Sequence, residues 1–397
     1  MASEIFASSE GINTAFLVDQ YGTYERLHKI GPIHKVKTPE GVPAWFVTGY
    51  AEVRRLIGDR RLVRRRTDAD GTHYAFPAPP PLTSSVLCQD PPSHTRLRKH
   101  MNKAFRGDRV DAMTPRIQEV ATRLADDFKR GTVVDFMVEF AAPLPITGIA
   151  EVLGIPEKDR HELRTWGDQL LSLDPVQMQQ GGAQLHQLFM ALMAEKRVNP
   201  GDDIWSEWLA TPDGGGAPLS TEELLGMGFM VLLGGYDPSA RAIGSCVLAL
   251  LSDPAKMELL RGNMELIPQA VEEFLRLYSS NHSATPRYAV EAMDVAGVTI
   301  EAGDIVLLSI AAADRDPDHF DPPNTARFEG PNGRHIAFGL GPHYCPGAEL
   351  SRRQVAISLE TILRKLPGLR LAAPPEDISL RESYFIRTPN VLPVICS

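Results

Sequence analysis

Basic residues are in the minority. Lys and Arg number 41 against 50 Asp and Glu, for a formal net charge of −9. A nucleic-acid binder needs a basic stripe, and this balance argues against one. Long apolar runs are also missing. The longest unbroken run is seven residues, Leu188–Ala194, whereas a membrane span needs about 20. The opening MASEIFASSEG has neither a basic stretch nor an apolar core, so no signal peptide is read. Cysteine is scarce. Cys88, Cys246, Cys345 and Cys396 are too few and too scattered for a disulfide scaffold. Repeats, charge runs and low-complexity linkers are absent. The expectation is a soluble, reduced, cytoplasmic globular protein with neither a nucleic-acid nor a membrane partner.

What is present is core. The 397 residues are 43% hydrophobic and 23% charged, enough to bury a large interior. The Pro-rich stretch Phe76–Pro81 is short and reads as a stiff surface loop rather than a boundary. Residues 1–397 are therefore read as a single domain. Strand-like pieces fall at Ile33–Lys37 and Ala44–Thr48. Between Asp111 and Ala210 the spacing is helical, with Ile117, Val120, Ala121, Leu124 and Phe128 on one stripe. Ser220-Thr221-Glu222-Glu223 is a capping box. The apolar stretch after it runs to Leu251 and stops at Ser252-Asp253-Pro254. A helix of that length spans about 45 Å and must be buried on most sides. More helix is expected over Pro254–Tyr278, strands at Val295–Ile300 and Asp304–Leu308, and a helix from Gly347 to Leu366. The fold class is mainly α with minor β.

The most informative segment runs from His335 to Ala348. It packs glycines and prolines around Cys345, which specifies a tight backbone. The cysteine sits where a helix begins. Free N–H groups and the positive dipole end there favour thiolate. A thiolate beside glycines, where a flat macrocycle could approach, suits axial ligation of haem iron. An isolated cysteine in a glycine turn is, however, more often a buried structural residue. Zinc held by His335, His343 and Cys345 fails on ligand count, with no C-x-x-C nearby. Gly339-Leu340-Gly341 is not a dinucleotide fingerprint, because Pro-His-Tyr follows it rather than a helix.

With its flanks, the segment resembles a known family, the haem-thiolate monooxygenases, or cytochrome P-450, in their soluble bacterial branch. Phe338-Gly339-x-Gly341-x-His343-x-Cys345-x-Gly347 matches the family's cysteine loop in full. Glu273-Phe274-Leu275-Arg276 matches its E-x-x-R, and His94 with Arg98 matches an H-x-x-x-R. Arg287-Tyr288-Ala289 and Asp314-Arg315-Asp316-Pro317 fit two further landmarks, with Asp314 where Asn is usual. The resemblance implies the cytochrome P-450 fold, with a long central helix over a buried haem b. It makes Cys345 the iron ligand and the metal-binding residue. Phe338, Gly339 and Gly347 then belong to the cofactor-binding loop.

The other landmarks have physical readings. Haem propionates are buried anions and need donors. His94 and Arg98 are four apart, so on a helix they share a face. Arg287 and His343 look like the matching contacts from the other side. His335 could lie near a propionate or be purely structural. Glu273 and Arg276 are close enough on a helix to pair. Exposed, such a pair matters little. Buried, it costs about 3–5 kcal/mol to break. The resemblance implies the buried case, a structural pair behind Cys345.

One segment departs from the family. The distal helix usually carries a small residue and Gly, then an acid, then Thr. Here Gly234 and Gly235 supply the space, Asp237 the acid, and Pro238 takes the alcohol position. Proline lacks an N–H, clashes with the carbonyl of residue 234 and should kink the helix. Protons for bound oxygen must then come through Ser239, through waters held by Asp237, or from the substrate. Catalytic roles are thus read at Gly235, Asp237, Pro238 and Ser239. Pro238 gives weight to outcomes without hydroxyl rebound. Pro346, directly after the ligand, removes one donor to the sulfur. Some haem-thiolate peroxygenases look similar in both prolines, but carry Arg where Asp237 stands.

Pocket residues are read only by region: His73, Tyr74, Phe76, Phe229, His282, Tyr384 and Phe385, each more often packing than contact. The implied activity is dioxygen-dependent oxidation of a small organic substrate of the secondary-metabolite kind, by hydroxylation, epoxidation, desaturation or oxidative coupling. Electrons would come from ferredoxin and ferredoxin reductase. Arg96, Lys99, His100, Lys103, Arg106, Arg352 and Arg353 form a basic cluster that could dock an acidic ferredoxin or be a solvated face. A peroxide-driven peroxygenase is the first alternative, and a non-catalytic haem sensor or carrier the second.

Overall fold

The helices that carry the candidate residues are, in chain order, α1 (Ser93–Ala104), α2 (Gly107–Asp126), α3 (Pro143–Val152), α4 (Arg160–Leu170), α5 (Pro175–Val198), α6 (Thr221–Leu251), α7 (Ile267–Tyr278) and α8 (Ala348–Lys365). The strands used below are β1 (Ile33–Lys37), β2 (Pro43–Val47), β3 (Leu62–Val63), β4 (Arg287–Ala289), β5 (Met293–Val295), β6 (Val298–Ile300) and β7 (Ile305–Leu308). The protein is described from a computed structural model, which covers residues 12, 14–38, 40–64, 80–172, 174–210, 218–330, 333–381, 383 and 385–397. His73, Tyr74, Phe76 and Tyr384 lie outside the described residues. The chain is mainly helical with minor sheet, as expected.

The chain divides into two compact units. One is drawn from 78–243, 346–368 and 396–397, the other from 1–77, 244–345 and 369–395. Helix α6 contributes residues to both.

The first unit is helical. On α2, Ile117, Val120 and Ala121 are buried, and α2 packs along α8. Trp205 and Trp208 are buried together, with Phe189 at 5.3 Å from Trp205 and Phe229 at 5.2 Å from Phe189. Helix α6 starts on the reciprocal cap that its sequence announces. The Glu223 amide donates to Ser220 Oγ at 3.1 Å, and the Ser220 amide donates to Glu223 Oε2 at 2.9 Å. The helix stops where Asp253 caps the next one by accepting from the Lys256 amide at 3.1 Å.

The second unit holds a five-stranded sheet in the order β1-β2-β7-β4-β3. Strands β2 and β7 run parallel and the other neighbours antiparallel. All four residues of β7 are buried, which is why Ile305–Leu308 is uniformly apolar. Val47, Leu56, Val306 and Leu308 meet in one apolar cluster.

Two local expectations change. Val295–Ile300 is not one strand but the turn of a hairpin. Ala296 and Gly297 both have positive φ (47° and 83°), and β5 pairs with β6 across them. Pro254–Tyr278 is not one helix. Gly262 ends the first piece, and Asn263 caps a short turn by accepting from the Glu265 amide at 3.1 Å. Helix α6 runs from Thr221 to Leu251 through Pro238, as the single long helix read from the sequence. Among the described residues, no helix is long and apolar enough to cross a membrane.

Candidate functional site

The cysteine loop is built from its own backbone. The Gly339 amide donates to the Ile336 carbonyl at 2.7 Å, and the Cys345 amide donates to the Phe338 carbonyl at 2.9 Å. A single helical turn covers Gly341–His343. Gly339 and Gly341 sit at φ of 70° and 68°, the left-handed region where a side chain costs about 1–2 kcal/mol. These two glycines are therefore demanded by the backbone. Cys345 is half-buried, whereas Cys246 and Cys396 are fully buried. Burial pushes the Cys246 thiol up and keeps it inert.

Behind the loop stands the Glu273–Arg276 pair on α7. It is buried, with side-chain exposures of 3% and 2%. Arg276 donates from Nε and Nη2 to the two Glu273 oxygens, both at 2.8 Å. Its remaining bonds go to the carbonyls of Asp314 (3.0 Å), Pro323 (2.7 Å) and Thr325 (3.2 Å). Glu273 Oε2 also accepts from the Arg327 amide at 3.0 Å. One ion pair thus pins an irregular stretch of 14 residues, 314–327, that no regular ladder supports. Asp314 continues the chain of supports, accepting from the Ile336 amide at 2.8 Å where the cysteine loop begins.

His335 has a structural role. Its Nδ1 accepts from the Ala337 amide at 3.2 Å, which leaves Nε2–H to donate to Glu272 at 3.0 Å. Arg287, on β4, is 2% exposed. Its Nη1 donates to Thr285 Oγ1 at 2.6 Å and to the Thr285 carbonyl. His343 is half-buried at the end of the turn before Cys345.

In the helical unit, His94 and Arg98 lie on α1, as their spacing requires. His94 is buried and Arg98 half-buried, with Arg98 Nε donating to Asn102 Oδ1 at 2.8 Å. Gly347 sits just before α8, and a Cβ there would touch the Phe105 ring at 3.4 Å. On α6, a Cβ at Gly235 would fall 2.2 Å from Ile149 Cδ1 of α3, and one at Gly234 would fall 2.2 Å from Met230 Cε. Both glycines therefore also serve close packing. Ser239 is 8% exposed.

Asp237 is held in a way that sequence reading missed. Arg241 Nε is 2.8 Å from both of its carboxylate oxygens, and Nη2 is 2.8 Å from Oδ1. The signal was available, since Asp and Arg four apart on a helix pair readily. Next to it, the Tyr236 hydroxyl donates to Asp168 Oδ1 on α4 at 2.8 Å. Burial pushes both groups up; the Asp168 carboxylate further opposes ionisation of Tyr236, whereas the bond that Tyr236 donates pulls Asp168 back down.

Some pocket candidates are core. Phe229 is fully buried against Phe189. His282 is fully buried, its Nδ1 2.9 Å from Gln20 Oε1, and burial keeps it neutral by lowering its pKa well below 6.5. Phe385 is half-buried, and its carbonyl accepts from the His282 amide at 2.7 Å. The basic cluster is partly neutralised. Arg96 pairs with Glu223, Arg106 with Asp108 and Glu207, and Arg353 with Asp111 and Glu349.

Comparison with known proteins decides the family. The family model "Cytochrome P450" matches residues 186–377. Cytochrome P450 monooxygenase PikC of Streptomyces venezuelae is 37% identical over 96% of this chain and 91% of its own length. The chain belongs to the cytochrome P450 family. Mycinamicin IV hydroxylase/epoxidase of Micromonospora griseorubida is 35% identical over 94% of this chain and 95% of its own. The ligand-free P450 monooxygenase TamI superposes with a TM-score of 0.88 at 35% identity, covering 98% of this chain and 95% of that one. This P450 is accordingly a monooxygenase-type oxidoreductase with the P450 fold, similar to bacterial enzymes of secondary metabolism. Membership implies a haem held through a cysteine thiolate.

The residues fit that group. Cys345, like Cys88, is half-buried, while Cys246 and Cys396 are buried, and of the four only Cys345 lies in a loop shaped by two left-handed glycines. Among the candidate residues of this P450 are a cysteine sulfur, imidazoles and guanidiniums, the group types that a metalloporphyrin with two carboxylates requires.

Proposed function

We propose that Cys345 is the thiolate ligand of a haem b, and that residues 1–397 act as one catalytic domain. The carrying observation is the cysteine loop itself, with its left-handed Gly339 and Gly341 and its Cys345–Phe338 backbone bond, in a chain of P450 membership. Phe338, Gly339 and Gly347 shape the loop, and His94, Arg98, Arg287 and His343 would hold the propionates. Glu273 and Arg276 keep the loop's support in place. Bound there, the haem would supply dioxygen activation and oxidation of an unactivated C–H or C=C bond.

The chain's own task is to deliver protons. Asp237 has the acid, but Arg241 occupies both of its oxygens. Pro238 has no hydroxyl and no N–H to offer. Ser239 lies about 100° further round the helix. Delivery therefore depends on release of Asp237, on Ser239, or on a heteroatom of the substrate. The substrate in this reading is a small secondary-metabolite molecule, oxidised by hydroxylation, epoxidation, desaturation or oxidative coupling. Ferredoxin and ferredoxin reductase supply the electrons.

The clasped Asp237 beside Pro238 also favours a second reading, in which hydrogen peroxide is the oxidant and no external proton route is needed. Product formed with peroxide is to be compared with product formed with ferredoxin, its reductase and dioxygen, across a panel of macrolide-like and aromatic compounds. Substrate-dependent reductant consumption supports the monooxygenase, turnover with peroxide alone supports the peroxygenase, and neither across the panel contradicts both.

A further inference from the structure

Asp314 is fully buried. Its Oδ1 accepts from the Ile336 amide at 2.8 Å, and its Oδ2 has no hydrogen-bond partner among the described residues. The charged and titratable groups around it make their hydrogen bonds to partners other than its carboxyl. On α7, Arg276 gives its bonds to Glu273 and to main-chain carbonyls, that of Asp314 included. Next in the chain, Arg315 donates from Nη2 to the Leu277 carbonyl and lies over the Tyr21 ring at 3.9 Å, while its Nη1 is buried without a hydrogen-bond partner among the described residues and makes no bond to Asp314. His335 donates to Glu272, and the Tyr50 hydroxyl donates to the Arg334 carbonyl at 2.5 Å. An ionised Asp314 would be a buried anion with one free oxygen, a state that proteins avoid by keeping the proton. The neutral acid has the size and acceptor of an asparagine.

The bond it makes is the first of a short series. Ile336 accepts from Gly339 at 2.7 Å, and Phe338 accepts from Cys345 at 2.9 Å. Slack at Ile336 is thus felt at the cysteine.

We propose that Asp314 is a positioning residue of the cysteine loop that works in its protonated form, and that loss of its proton loosens residues 336–345. The functional meaning rests on Cys345 as haem ligand, but the structural effect does not. Burial pushes the Asp314 carboxyl up to about 7, against the opposing pull of His335, of the bond from the Ile336 amide, and of Arg276 and Arg315. A loop that opens lets the acid return to its ordinary value of 3.8. Opening therefore becomes easier by roughly tenfold per pH unit from about 4 to about 7, and then levels.

Hydrogen exchange of peptides covering 336–345, corrected for intrinsic rates, tests this in the full-length protein as isolated, from pH 5 to 8.5. In the wild type, protection should fall by roughly tenfold per unit to about pH 7 and then stay flat. Asp314→Asn should keep the acid-side protection at every pH, and Asp314→Ala should lack it at every pH. The same pH course in wild type and Asp314→Asn overturns the proposal, and this comparison suffices if the alanine variant does not fold. A Soret spectrum of the same samples separates the two readings: absence of thiolate-bound haem defeats the ligand assignment and leaves the exchange comparison to be decided by itself.

Discussion

Arg241 clasps Asp237 from one turn further along α6, with its Nε 2.8 Å from each carboxylate oxygen. Both side chains are 16% exposed, so the pair is shielded but not sealed. The acid that we propose for proton delivery is thereby fixed in an acceptor role. Arg241→Ala should free it. Product formed per reductant consumed should rise and peroxide release fall, at a stability cost of about 1 kcal/mol. The gain should vanish when Asp237→Asn is added. Unchanged coupling in Arg241→Ala would show that the clasp does not limit turnover.

Pro238 is the second lever. Pro238→Thr returns an N–H to the Gly234 carbonyl and a hydroxyl to the family's alcohol position. Peroxide leakage should drop and the product ratio should move toward hydroxylation. The helix interior should gain up to about 3 kcal/mol, less whatever local bend the proline already accommodates. If coupling and product profile both stay put, the proline is only structural.

Arg276→Ala removes one half of a buried pair together with three carbonyl contacts. It should destabilise the protein by about 3–5 kcal/mol in denaturant unfolding and lower haem retention. Arg276→Lys keeps the charge but not the fork, and should fall between. A wild-type unfolding curve for Arg276→Ala would contradict the pinning of 314–327.

His34 predicts an acid limb. It is 5% exposed, lies 3.3 Å from Thr48 Oγ1, and burial pushes it down from 6.5 to about 4. The folded protein keeps it neutral, while the unfolded chain takes up a proton below about 6.5. Stability is therefore full above that pH and falls by about 1.4 kcal/mol per unit down to about pH 4. His282 adds in the same direction. Asp314 has the opposite sign, since the folded state keeps a proton that the unfolded chain loses, and stability falls as pH rises from about 4 to 7. Asp314 offsets one of the two histidine contributions, so the wild type keeps a net loss of stability toward acid. Urea unfolding of His34→Asn between pH 4.5 and 7 should expose the rising limb's loss, and an unchanged slope would contradict it.

Short-range signals carried much of this structure in the sequence. Ser220 and Glu223 announced the start of α6 because a cap is a local device, and the strand-like piece at Ile33–Lys37 is β1. The Ala296-Gly297 turn was missed because a two-residue connection leaves little mark between apolar residues. The cysteine loop was legible because its glycines are forced by backbone angles. What stayed hidden were pairings between distant residues: Gln20 with His282, Asp168 with Tyr236, and Asp314 with Ile336. Each is a buried polar group satisfied by a partner that only the fold brings near.

The most direct measurement is the carbon monoxide difference spectrum of the reduced protein, wild type beside Cys345→Ser. The account predicts a thiolate-type Soret band in the wild type and its loss in the variant. A wild type that holds no porphyrin, or a serine variant with the band unchanged, would contradict it.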